Sequence, residues 1–191
     1  MRKHVRFSFA VIFISAVANG AIAVSAPNGW ILAGSRPSDY QIEQVASAAT
    51  NGKVGVAIKS VASTAEGFGT LMQTISAESY LGKRVKLSAD VRALGVDGWC
   101  GLWMRVDGAG TQPLAFDNMA NRAIRGMASW RRYEVILDVP KSATAVAFGI
   151  LLNGKGNVEV DNFKLEIVPD TVATTGQGSG LPTEPLNLNL E

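Results

Sequence analysis

Arg84-Val85-Lys86-Leu87-Ser88-Ala89-Asp90-Val91 alternates polar and apolar residues without a break. Successive side chains of a β-strand point to opposite faces, so this octet predicts a strand with one face in a core and one in water. The same period returns where Tyr133, Val135, Leu137 and Val139 alternate with Glu134, Ile136 and Asp138. It returns again where Val146, Phe148, Ile150 and Leu152 alternate with Ala145, Ala147, Gly149 and Leu151. Val54, Val56 and Ile58 suggest an earlier strand, and Val158 to Val168 a late one. Asn51-Gly52, Asp97-Gly98, Asp107-Gly108, Asn153-Gly154 and Gly156-Asn157 read as the turns between them. No stretch beyond the first two dozen residues sustains a 3.6-residue apolar period. Many short strands at near-regular spacing predict an all-β chain, a two-sheet antiparallel β-sandwich.

Residues 1–23 carry the three parts of a secretory signal peptide. Arg2, Lys3, His4 and Arg6 form the basic start, and Phe7 to Val17 is apolar except for Ser8 and Ser15. Ala21-Ile22-Ala23 supplies small residues for cleavage after Ala23, whereas a cut after Ala26 places Pro27 at the new terminus. The apolar run is shorter than the ~20 residues that span a bilayer, so stable membrane insertion after cleavage is not expected. The destination is the periplasm or the cell exterior. Cleavage removes Arg2, Lys3 and Arg6 from 18 basic residues and nothing from 16 acidic ones, leaving a balance of −1. The basic character of the whole chain therefore belongs to targeting, and nucleic acid is not an expected partner.

The chain beyond the signal is long enough for one core. Cys100 is the chain's one cysteine, so no disulfide forms within it, and His4, the one histidine, lies in the signal. A processed chain without histidine has no Ser-His-Asp or Cys-His machinery and no usual zinc site. Its acids are scattered as single residues, whereas glycoside hydrolysis normally needs two across a cleft. The domain reads as non-catalytic, with no organic cofactor. Residues 27–168 form the expected sandwich, and 169–184 a flexible crossing loop, with Thr171 to Gly180 rich in Thr, Gly and Ser. In residues 185–191, Leu186, Leu188 and Leu190 alternate with polar residues. Two readings stand there: a disordered terminus, or a final strand of the same sandwich.

Trp99 to Asp107 is the most informative segment for a site. If Leu102, Met104 and Val106 face the core, then Trp99, Gly101, Trp103, Arg105 and Asp107 share the opposite face. An apolar aromatic wall with a few polar groups is what small-ligand sites look like. Trp99, Trp103 and Arg105 are candidate contacts, and Asp117, Asn118, Arg122 and Arg125 could rim a groove beside them. Alternatively, the segment Pro113 to Trp130 covers the tryptophans as a second small core, and its charged residues pair with one another.

The strand-bearing segments resemble a known bacterial module. The residues that carry the likeness are Gly34-Ser35-Arg36-Pro37-Ser38-Asp39-Tyr40, Gly67-Phe68-Gly69-Thr70-Leu71-Met72-Gln73 and Gly101-Leu102-Trp103-Met104-Arg105-Val106-Asp107-Gly108. They continue in Phe116-Asp117-Asn118-Met119, Leu137-Asp138-Val139-Pro140, Ala147-Phe148-Gly149-Ile150-Leu151-Leu152 and Val160-Asp161-Asn162-Phe163. From Trp30 to Val168 the chain looks like the galactose-binding-like jelly rolls to which many carbohydrate-binding modules belong. Related copies are appended to bacterial regulators and hydrolases, generally without an established ligand. The resemblance implies a jelly roll and a glycan-binding role, although a scaffold of this kind hosts many activities. Such modules often open on a strand of the form Asn-Leu-Asp-Phe-Glu, for which Pro27-Asn28-Gly29-Trp30 leaves no room. Asn187-Leu188-Asn189-Leu190-Glu191 matches that form, so the C-terminal strand is expected to take the place of the missing first one.

Asp161-Asn162 interrupts the alternation between Val160 and Phe163 as a β-bulge does. The resemblance implies that Asp161 helps hold a structural calcium, with Glu43 as an early partner. Calcium asks for six to eight oxygens, and the plainer reading of Asp161 is a turn aspartate bonded to local amides. For the whole domain, glycan recognition competes with a structural role in the cell envelope, in which the partner is another protein.

Overall fold

The computed structural model describes residues 25–46 and 54–178. The expected signal peptide, the turn at Asn51-Gly52 and the expected final strand at 185–191 lie outside the described residues. Among the described residues ten strands follow one another: β1 (Ile31–Gly34), β2 (Tyr40–Ala46), β3 (Val54–Ser60), β4 (Phe68–Ser76) and β5 (Lys83–Gly108). They continue as β6 (Ala115–Asp117), β7 (Ile124–Val139), β8 (Ala143–Asn153), β9 (Asn157–Val168) and β10 (Gln177–Gly178). The helical elements among the described residues are three-residue 3₁₀ turns, and no helix there is long and apolar enough to cross a membrane.

The strands pair antiparallel throughout and fold into two layers joined by β5. The first half of β5 lies between β7 and β9, and β3 and β2 extend that layer. The second half lies between β8 and β6, with β4 and β1 beyond β8 and β10 beyond β6. The chain is the all-β sandwich that the alternation predicts.

The crossing leaves a mark on the pattern. Val85, Leu87, Ala89, Val91 and Ala93 face the core at odd positions, and Cys100, Leu102, Met104 and Val106 at even ones; all are 0 % exposed. The change of parity falls between Ala93 and Cys100, where Gly95 takes φ +63° and the register against β7 slips. The expected turn at Asp97-Gly98 is instead internal to β5. A side chain at Gly98 would place its Cβ 2.2 Å from the Asn153 carbonyl oxygen, so this glycine serves a close approach between strands. Asp161-Asn162 does form a bulge: Asn162 has φ +56°, and the β5–β9 register shifts between Ser88 and Asp90.

Inward-facing residues of both layers make one core. Trp30 packs edge-on against Phe148 at 5.8 Å and at a tilt of 38° against Phe163 at 4.9 Å between ring centroids, bridging the layers. Tyr40 ties the start of β4 to the β8–β9 turn, its hydroxyl lying 2.9 Å from the Gly67 carbonyl and 3.1 Å from that of Gly154. Burial pushes its phenol above the ordinary value. The segment after β9, read as a crossing loop, is tied along its described part. Thr175 receives the Ile136 N–H on its hydroxyl oxygen at 2.7 Å and donates its own N–H to the Ile136 carbonyl at 2.9 Å.

Candidate functional site

The parity change sets the site. It turns Trp99, Gly101, Trp103, Arg105 and Asp107 onto the outer face of the second layer, in register with β8 and β4. Trp99 stands opposite Asn153, which stands opposite Phe68; Trp103 stands opposite Gly149, which stands opposite Met72. Ala147 and Gly149 leave space on this face, and the large indole of Trp103 lies over it. Trp103, Ala147 and Leu151 form a small outer cluster, completed by Phe68, Met72 and Trp99.

Trp103 is fixed by hydrogen bonds as well as packing. Its indole N–H donates to the Thr70 hydroxyl at 2.8 Å, and that hydroxyl donates to the Ile150 carbonyl at 2.8 Å. With its polar handle used, Trp103 offers only apolar ring surface, and at 8 % exposure not much of it. Trp99 is half-buried and Phe116 is 39 % exposed, so these two present more accessible aromatic surface.

Above this cluster is an open groove of about 460 Å³. Trp103, Leu151 and Met72 line its floor side, and Trp99, Phe116 and Asn118 its rim. The volume falls within the ~300–1,000 Å³ of small-molecule sites. The tryptophans belong to a small outer cluster, and a groove remains over it. The segment Pro113 to Trp130 does not cover the cluster as a whole. Phe116 and Asn118 reach it, Met119 and Ile124 enter the main core, and Met127 is 73 % exposed elsewhere.

Of the seven candidate contacts, Trp99, Trp103, Arg105 and Asn118 line the groove. Asp117, Arg122 and Arg125 do not, and each has another partner. Asp117 is buried; it accepts the Met119 N–H at 2.8 Å and the Arg122 Nη2 at 2.6 Å. Arg122 also donates to the Glu134 carbonyl, and Arg125 to the Gly98 carbonyl at 2.6 Å. Asp117 and Arg122 brace the turn that carries Asn118, and Arg125 ties the start of β7 to β5. Phe68, Thr70, Met72 and Phe116 belong to the site although spacing along the sequence does not single them out. The first three alternate along β4 and need only the register to be noticed.

The calcium expectation for Asp161 does not fit its surroundings. Asp161 accepts the Asn162 N–H at 2.6 Å and stands opposite Asp90 across β9 and β5. Arg132 already places a guanidinium 3.3 Å from Asp90, in the region a cation would share. Glu43 is engaged on β2 and β3 by Gln41 and Lys59. Among the described residues no three His, Cys, Asp or Glu side chains converge as metal ligands. The outer face of the first layer carries a further polar set that the sequence does not foretell. There Glu159 is buried against Arg92 at 2.6 Å, and Arg92 lies 5.5 Å from the Trp130 ring centroid.

No family model matches the chain. It is 39 % identical over 166 residues to the uncharacterized HTH-type transcriptional regulator YbfP of Bacillus subtilis (strain 168). That match covers 85 % of this chain and 56 % of the regulator, so the chain spans just over half of that relative's length. Among solved structures it is similar to the CBM22-1 xylan-binding domain of Paenibacillus barcinonensis Xyn10C, with a TM-score of 0.55, 13 % identity and 78 % and 91 % of the two chains covered. The enzymatically active domain of the bacteriophage CBA120 tailspike protein 4 gives a TM-score of 0.58 at 11 % identity, over 74 % of this chain and 20 % of that one. A cyclase from Fischerella sp. TAU gives 0.54 at 17 % identity, over 82 % and 92 %. The chain has the all-β, jelly-roll-like fold of carbohydrate-binding modules, a fold that a cyclase also uses.

Proposed function

We propose that this chain is an exported, non-catalytic binding module that holds a glycan in the groove between Trp99, Trp103 and Phe116. The observation that carries the reading is the aromatic lining itself. Sugar rings present flat C–H faces and hydroxyl edges, and the groove offers rings for the first and the Asn118 amide and Arg105 guanidinium for the second. A pre-formed surface lowers the ordering cost of binding, and the Thr70 contact holds Trp103 in place before any ligand arrives. The carbohydrate-binding modules among its structural neighbours support the same reading. The N-terminal pattern supports export, and a protein component of the cell envelope is the competing partner.

The test uses the protein recovered from the periplasm or medium, with its N-terminus expected at Val24. Tryptophan emission is titrated with a panel of cell-wall and plant polysaccharides. A saturable change is expected with at least one of them, weakened ten-fold or more by Trp99→Ala or Phe116→Ala. Silence across the panel, with a protein co-purifying instead, overturns the glycan reading.

A further inference from the structure

Ten of the described residues line the groove, and among them Arg105 alone carries a charge. Its side chain is 45 % exposed and bound to Asp107 in one particular way. Both contacts run through Nε, at 2.9 Å to one carboxylate oxygen and 3.1 Å to the other. Among the described residues the Nη1 and Nη2 groups meet no acceptor. Asp107 therefore steadies the guanidinium from its Nε side and leaves the outer pair of nitrogens for a ligand. Asp107 itself does not line the groove, and neither does any other acid among the described residues.

We infer that the groove selects an acidic glycan, one whose rings bear carboxylates, with the carboxylate received by the Nη edge of Arg105. The inference rests on the groove being the glycan site. A planar guanidinium donates two parallel N–H bonds to a carboxylate, a match that a neutral hydroxymethyl group lacks. The ring that carries the carboxylate then lies toward Phe116, which pairs with Arg105 across β5 and β6. Arg105 supplies the discrimination, and the aromatic residues supply affinity that is indifferent to charge.

The probes are polygalacturonate, alginate and hyaluronate, each beside the same polymer after its carboxylates have been reduced to hydroxymethyl groups. Calorimetric titration of the full chain is expected to show at least one acidic polymer binding ten-fold or more tighter than its reduced form. Arg105→Gln should abolish that difference and Arg105→Lys should keep part of it. Added salt should narrow it, since the contact is partly exposed. A parent and its reduced polymer binding equally well overturns the acidic class and leaves the glycan reading standing. Binding to neutral glycans alone does the same. No binding to any polymer, acidic, reduced or neutral, overturns both.

Discussion

Thr70 has two bonds to lose. Its hydroxyl accepts from the indole of Trp103 and donates to the Ile150 carbonyl, each at 2.8 Å, in a buried position. Thr70→Val keeps the shape and strands the indole N–H without a partner; a buried polar group left so costs about 1–3 kcal/mol. Thr70→Ser keeps the hydroxyl and should cost less, about 1 kcal/mol by the scale of small core trims. Urea denaturation of the two variants checks the order. If valine is as stable as serine, the relay does not hold Trp103. At this scale the sequence reveals which side chains share a face but not what they touch. Alternation puts Trp99, Trp103 and Arg105 together. In the three-residue strand β6 the same alternation turns Phe116 out and Asp117 in, so that Asp117 meets Arg122 and not the groove. Long arginine side chains have too much reach for spacing to name their partners.

Among the strands, β5 decides where the groove lies. Its crossing between layers moves the core-facing residues from odd to even positions, and Gly98 lets it pass close to Asn153. Gly98→Ala would press a methyl group into the Asn153 carbonyl at 2.2 Å, next to the Trp99–Asn153 pair. Overpacking of this kind typically costs roughly 1–3 kcal/mol. The expected result is a lower urea midpoint with a loosened Trp99, seen as a red-shifted emission of the folded protein. An unchanged midpoint would show that the two strands have room to part. Asp97-Gly98 reads as a turn because the dipeptide carries the composition of one. Composition does not distinguish a glycine needed for reversal from one needed for close approach. Elsewhere the strands at Val85, Val135, Val146 and Val158 are legible because each buries a run of alternate apolar residues.

At the scale of the molecule, the main core of the described residues holds no disulfide, and Cys100 sits inside it at 0 % exposure. Burial pushes the thiol from 9.0 to about 12, and burial also raises Tyr40 and Tyr133 above 10.0. Each of these acids is neutral in the folded chain and ionises more readily once unfolded. Below about pH 9 both states hold these protons and stability does not depend on them. Above it the unfolded chain releases them first, so stability falls as pH rises. For Cys100 the loss between pH 8 and pH 10 is roughly 1 kcal/mol, growing until the folded thiol itself ionises. The tyrosines add to it above pH 10. Urea midpoints measured from pH 7 to pH 11 should be flat at first and then decline. Cys100→Ala should remove most of the decline below pH 10 and leave above it only the part that the tyrosines contribute. The thiol should also resist alkylation in the folded protein, since the thiolate is the reactive form. Brisk labelling of Cys100 at pH 8 without denaturant would mean that the two layers part readily around β5. The groove, which rests on the outer side of that strand, would then not be pre-formed.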